Sequence, residues 1–115
     1  MTGTPSPGPD MEKILDALGD ATRRRIVDRL AEGPTSVSAL AGPLGITVTA
    51  VAQHVRILTD SGLVTSEKTG RVRTCRLEDD GLRALSVWAD ARRTQWDQRL
   101  DRLEAMLNRD EPSSP

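Results

Sequence analysis

Phenylalanine and tyrosine are absent from this 115-residue chain, and its aromatic content stops at Trp88 and Trp96. An interior must therefore be built from Leu, Val, Ile, Ala and Met, which suits helix packing better than an aromatic-rich β-sandwich. The single cysteine, Cys75, excludes an internal disulfide and fits a reducing compartment, so a cytoplasmic location is expected. The single histidine, His54, cannot by itself make a metal site, which needs several ligands. No run is apolar and long enough to span a bilayer, and the N-terminus lacks the charged and apolar regions of a secretory signal. There is no Ser/His/Asp set, no phosphate-cradling glycine loop and no metal cluster. Catalysis is therefore not expected, and no catalytic residue, cofactor or metal is assigned.

What is present is ordinary in amount, with 37% hydrophobic and 29% charged residues, as for one compact domain. The net charge of −1 does not advertise a nucleic-acid partner, but its distribution is uneven. Residues 20–78 carry nine Lys/Arg against six Asp/Glu, so the centre is mildly basic and the flanks acidic. Arginine outnumbers lysine fourteen to two, which is consistent with a GC-rich bacterial genome. Gly3, Pro5, Pro7 and Gly8 precede any apolar run, so residues 1–10 read as a disordered tail. Residues 109–115 read as its counterpart, leaving one domain over residues 11–108.

Periodicity divides that domain. Met11, Ile14, Leu15 and Leu18 have helical spacing, and Gly19 breaks it. Asp20 can cap a second helix with Ile26, Val27 and Leu30 inward, and Gly33-Pro34 ends it. Ser36–Leu44 reads as a short helix, and Thr47–Asp60 as a fourth with Thr47 as N-cap and Ser61-Gly62 as its stop. Leu63–Lys68 and Arg71–Leu77, joined at Thr69-Gly70, read as a hairpin. Glu78-Asp79-Asp80 places acids at the start of a last helix running to about Asn108, where the helix dipole favours them. The expected fold is mostly α with a small β-hairpin: a winged helix-turn-helix with a long C-terminal dimerisation helix.

On a wheel of 100° per residue, Val51, Val55 and Leu58 form the inward stripe of the fourth helix. Thr49, Gln53 and Arg56 fall nearly opposite, and an amide, a guanidinium and a hydroxyl are the groups that read base edges. Ala50 and Ala52 are small enough to admit a close approach to DNA. A plain solvated face shows polar residues too, and it is the short helix before and the hairpin after that favour the DNA reading. Thr47 at the helix start and His54 on its flank are added as contacts, His54 to a phosphate or to a local hydrogen bond. Lys68, Arg71 and Arg73 cluster at the hairpin tip, which suits phosphate or minor-groove contact, although basic edge strands also resist aggregation. Arg23, Arg24 and Arg25 oppose the dipole at the start of the second helix, and either a phosphate or solvent would tolerate them.

From Asp79 to Asn108 the apolar positions Leu82, Leu85, Ala89, Trp96, Leu100, Leu103 and Leu107 keep to one stripe, interrupted at Arg92. A helix of 30 residues is about 45 Å long, whereas a 100-residue domain has a radius of gyration of about 13 Å. Much of the stripe is then left for a symmetric partner helix, with Ile14 of the first helix assisting. A homodimer would place two copies of the fourth helix in successive major grooves about 34–36 Å apart, on an inverted repeat in double-stranded DNA.

Three segments carry a family resemblance. Leu18-Gly-Asp-Ala-Thr-Arg-Arg-Arg-Ile26, then Val51-Ala-Gln-His-Val-Arg-Ile-Leu58 with Asp60-Ser-Gly-Leu-Val64, then Gly70-Arg-Val-Arg-Thr-Cys-Arg-Leu77 together resemble the ArsR/SmtB-type winged-helix repressors. The resemblance covers roughly Met11–Leu107 and implies a dimeric bacterial repressor that leaves its operator on a signal. It departs from the metal-sensing pattern. No cysteine lies near Ser36–Leu40, and no histidine follows His54, so a non-metal-sensing member is expected. Cys75 stands where the family usually has tyrosine, either as a small packing residue or as a redox switch whose pKa a neighbouring arginine lowers. A small-molecule effector of unassigned identity, between the long helices near Trp88 or Trp96, is an expectation from tryptophan placement alone. The expected function is a sequence-specific DNA-binding transcriptional regulator, a homodimeric repressor. The alternative is a winged-helix module for protein–protein assembly whose basic face is incidental.

Overall fold

The computed structural model describes residues 10–110, in the order α1 (Met11–Ala17), α2 (Ala21–Leu30), β1 (Thr35–Ser36), α3 (Val37–Leu44), α4 (Val48–Asp60), β2 (Val64–Thr69), β3 (Val72–Leu77) and α5 (Asp79–Asp110). The expected terminal tails fall outside the described residues except at their inner edges, and both edges are structured. Asp10 is the N-cap of α1, its carboxylate accepting from the Glu12 N–H at 3.0 Å, and α5 continues through Arg109 and Asp110.

Each of the first four helices starts on a side chain that satisfies an orphan backbone donor. Asp20 accepts from the Arg23 N–H (3.0 Å), Ser36 from Ala39 (3.1 Å) and Thr47 from Ala50 (3.0 Å), each replacing a hydrogen bond the first turn cannot make internally. The three arginines after Asp20 have a local explanation. Arg23 Nε donates to the Ala17 carbonyl (2.7 Å), Arg24 Nη1 to Leu18 (2.6 Å) and Arg25 Nη2 to Pro43 (3.3 Å). Arg23 and Arg24 thus place positive charge on the C-terminal carbonyls of α1, where a helix end is negative.

A strand absent from the sequence reading completes the sheet. β1 pairs antiparallel with β3, Thr35 opposite Cys75 and Ser36 opposite Thr74, giving the order β1-β3-β2. At two residues β1 is too short to show any alternation, so periodicity had nothing to detect. β2 and β3 pair from Val64↔Leu77 to Thr69↔Val72, so the tip is the two residues Gly70-Arg71 rather than Thr69-Gly70. Gly70 has φ +63°, and no non-glycine residue among those described has positive φ. Positive φ at the first central position alone distinguishes a type II′ turn from type I′, and only glycine takes it without strain.

The core lies among α1–α4 and the base of the sheet. Ile14, Ala17, Ile26, Leu40, Val51, Val55, Leu58, Leu63, Val64 and Cys75 are buried. Leu82, Ala84 and Leu85 of α5 pack against this cluster. The start of α5 is pinned there, for the Glu78 N–H donates to the Leu63 carbonyl at 2.8 Å. Residues 10–85 form one compact unit, and α5 from Ser86 to Asp110 forms a second.

Candidate nucleic-acid interface

Gly45 closes α3, Ile46 packs inward, and Thr47 opens α4, so two helices are joined by a three-residue turn. Burial of Val51, Val55 and Leu58 turns the opposite side of α4 outward. Thr47, Thr49, Gln53 and Arg56 are all exposed there. The Thr47 hydroxyl already accepts the Ala50 N–H, so its position is set by capping.

The hairpin stands beside this helix, and two clefts lie between them. One, of about 280 Å³, is lined by Ala52, Arg56, Ser66 and Arg73 among others. The second, of about 260 Å³, is lined by Val48, Ala52, Lys68, Arg71, Val72 and Arg73 among others. Ala52 and Arg73 belong to both, so the clefts make one continuous groove with α4 on one wall and the hairpin on the other. Lys68, Arg71 and Arg73 are exposed, and Arg73 Nη1 is oriented by the Ser66 hydroxyl at 3.0 Å. Arg76, the remaining arginine of the strands, faces Glu67 at 3.6 Å across the pair and is thereby partly neutralised.

His54 shows the local contact, one of the two roles expected of it. It is half-buried, with Nδ1 3.5 Å from Arg23 Nη1 and 3.9 Å from Asp20 Oδ2. One position before the buried Val55, it is carried round α4 toward the start of α2 and away from the exposed arc. The Asp20 carboxyl is held below its ordinary value of 3.8, chiefly by the Arg23 backbone N–H, against the opposing effect of desolvation, with the nearby positive charge of Arg23 contributing less.

Cys75 is fully buried in the middle strand, between Thr35 and Ser66. Burial pushes its thiol above the ordinary range, and the charge of Arg73 only partly opposes this. A buried, protonated thiol is a poor nucleophile, so Cys75 is a packing residue and the redox reading is not supported. Among the described residues no three His, Cys, Asp or Glu side chains gather where they could hold a metal ion, and no helix is long and apolar enough to cross a membrane.

The residues assigned to a dimer seam divide. Ile14 has no exposed surface and belongs to the core of its own chain, so it cannot meet a partner. Periodicity found an apolar side to α1 but could not tell which surface covers it. Leu82 and Leu85 are half-buried against the same core. Ala89, Trp96, Leu100, Leu103 and Leu107 are exposed, Trp96 by 58% and Leu107 by 60%. Val87 and Met106 are exposed apolar residues of α5 that the stripe had omitted. Arg92, which interrupts the stripe, lies over the Trp88 ring at 5.1 Å from its centroid.

Two helices on a tight turn, a β-hairpin beside the second helix and a cationic groove between them define a winged helix-turn-helix DNA-binding protein. Comparison with known proteins agrees. Residues 18–67 match a family model described as a helix-turn-helix domain. The chain is 42% identical over 79 residues to the HTH-type transcriptional regulator Rv2034 of Mycobacterium tuberculosis, covering 69% of this chain and 74% of that one. It is 36% identical over 83 residues to the HTH-type transcriptional repressor SmtB of the same species, covering 66% of this chain and 62% of that one. The crystal structure of the ArsR family transcriptional regulator RHA00566 superposes with a TM-score of 0.71 at 37% identity, over 76% of this chain and 96% of that one. The chain belongs to the ArsR/SmtB family of transcriptional regulators.

Proposed function

We propose that this regulator is a cytoplasmic, homodimeric repressor that recognises an inverted-repeat operator, with Thr49, Gln53 and Arg56 at base edges and Lys68, Arg71 and Arg73 at the backbone. The observation that carries the reading is the shared groove, in which Val48, Ala52 and Arg56 of α4 and the three hairpin cations line adjoining clefts, with Thr49 and Gln53 exposed on the same helix. A major groove about 12 Å wide admits such a helix, while phosphates flanking it meet the hairpin. Thr47 serves as the cap that sets the angle of entry. Ala89, Trp96, Leu100, Leu103 and Leu107 form the seam between two copies of α5. Their joint exposure is what supports a dimer, since a row of large apolar side chains facing water is costly for a lone chain.

Repression, rather than activation, is the reading that the similarity to a relative named as a repressor supports. Metal sensing is left out, because neither the third helix nor the C-terminal helix offers the ligands for it. Catalysis has no part in this reading, and a small-molecule signal remains compatible with it.

The test is binding to duplex DNA from upstream of the protein's own gene, beside a scrambled duplex, at two salt concentrations. A preference of about 10³-fold or more for the native duplex is expected, on the scale of specific regulators. Equal, weak and steeply salt-dependent binding to both would reduce the groove to a basic surface. No binding even at low salt would favour the protein–protein assembly module.

A further inference from the structure

Val48 is the first residue of α4 and stands 49% exposed. It neither caps the helix nor joins the core. The first turn of a helix favours acidic or small polar residues, and a β-branched apolar one gains nothing there from propensity or from the dipole. A single apolar side chain at a surface is common and by itself means nothing. What sets Val48 apart is its company. It lines the same cleft as Lys68, Arg71 and Arg73, so the surface that meets it carries negative charge. One turn on, Ala52 continues the row, and Arg56 follows a turn later in the adjoining cleft. The side of α4 nearest the hairpin thus presents an apolar group, a small group and a guanidinium, in that order from its N-terminus.

The N-terminal residues of a recognition helix are those that meet base edges. On the major-groove edge of B-DNA the one apolar group is the C5-methyl of thymine. We infer that Val48 packs against a thymine methyl in each half-site and selects thymine over cytosine at that position, with Arg56 reading farther along the same groove. This rests on the operator-binding reading above and adds a specificity residue to it.

The experiment uses the full chain and the operator duplex recovered by selection from a random-sequence pool. Each thymine is replaced in turn by deoxyuridine, which removes the C5-methyl and nothing else. For the wild-type protein one thymine in each half-site is expected to be sensitive, its replacement weakening binding about fourfold, the effect of one buried methylene-sized group. In Val48→Ala that sensitivity disappears, while the response at other thymines is unchanged. Val48→Thr, which keeps one methyl branch, retains part of it. Both variants alter an exposed position, and an unchanged melting temperature confirms that they fold.

A selected operator without thymine in its half-sites overturns the inference. So does a wild-type protein indifferent to every deoxyuridine, or a sensitivity that persists undiminished in Val48→Ala. In those cases sequence-preferring binding still stands, and only the role of Val48 falls. If selection yields no preferred duplex at all, the operator-binding reading fails and the inference fails with it.

Discussion

Replacing Gly81 by alanine sets two ordinary effects against each other. Gly81 lies in the first turn of α5, and glycine inside a helix is about 0.5–1 kcal/mol less favourable than alanine, so propensity alone predicts a more stable protein. The surroundings predict the reverse. A β-carbon at Gly81 would overlap the carbonyl oxygen of Gly62 and stand 2.8 Å from its carbon and 3.1 Å from Leu63 Cα. These are backbone atoms, so no change of rotamer relieves the overlap. The helix cannot simply back away, because the Glu78 N–H is bonded to the Leu63 carbonyl and Leu82 and Leu85 are seated on the core. Relief requires roughly an ångström of displacement, with strain of about 1–3 kcal/mol typical of overpacking. Losing the Glu78–Leu63 bond would add about 1 kcal/mol. The net expectation for Gly81→Ala is destabilisation by about 1–3 kcal/mol. Near 100 residues each kcal/mol moves the melting temperature by about 4–8 °C, so thermal unfolding followed by circular dichroism resolves the effect. Protomer concentration must be held constant, since self-association shifts the midpoint. A variant that melts at or above the wild-type temperature would show that the close approach of α5 to Gly62 has been misjudged.

Lys68→Ala should weaken binding to all sequences alike and reduce the slope of log K against log salt by about 0.9, the signature of one lost phosphate contact, in a titration at several salt concentrations. Arg56→Ala should cost about 1–3 kcal/mol on the preferred operator and relax selection at a single base pair, and unchanged affinity would remove Arg56 from the reading face. Leu103→Asp should shift the dimer toward monomer by about 10²- to 10⁴-fold, because a C₂ seam loses the burial of about 1.5–3 kcal/mol twice, and sedimentation would detect it. Cys75 should resist thiol reagents in the native state and react once the chain is unfolded, and Cys75→Ser should lower stability by about 1–3 kcal/mol by burying a hydroxyl without a ready partner. Asp20 has a folded pKa below its ordinary 3.8, so its contribution to stability is complete above that value and fades as pH falls through the lower one. Asp20→Asn, which keeps the capping oxygen, should flatten that part of the acid-unfolding curve, and an identical curve would mean that the charge contributes nothing.

Local signals were legible in the chain wherever one residue type has one common use. Asp20 and Thr47 sit just before apolar periodicity begins, and each caps the helix so marked, whereas Ser36, read as the first residue of its helix, is its cap. The exposed arc of α4 follows from the inward stripe of Val51, Val55 and Leu58, because a helix has only two sides to divide. What pattern could not supply was identity of the neighbour. Ile14 has the same spacing as a seam residue, yet α4 and the core cover it, and only tertiary contacts decide between the two. Arg23 and Arg24 look misplaced against the dipole of α2 until the end of α1 is brought beside them. His54 was located on the flank of its helix, but its partners lie more than thirty positions away in sequence. Val48 escaped notice because a lone apolar residue in a helix counts toward the core by default, and its exposure becomes visible only beside the hairpin. Gly81 carries no sequence signal at all, since its reason is a carbonyl nineteen residues earlier.

Ser36 has two duties at once. Its backbone sits opposite Thr74 in the sheet, and its side chain holds the first turn of α3. The hairpin and the helical pair therefore share an anchor, and neither can pivot against the other without breaking a ladder pairing or a cap. The angle between the two walls of the groove is close to fixed within one chain. In a dimer the freedom that remains is the separation and tilt of two such rigid units. In the proposed dimer, control over binding would be a matter of whether two fixed gauges match the pitch of the duplex, with every contact-making side chain left in place.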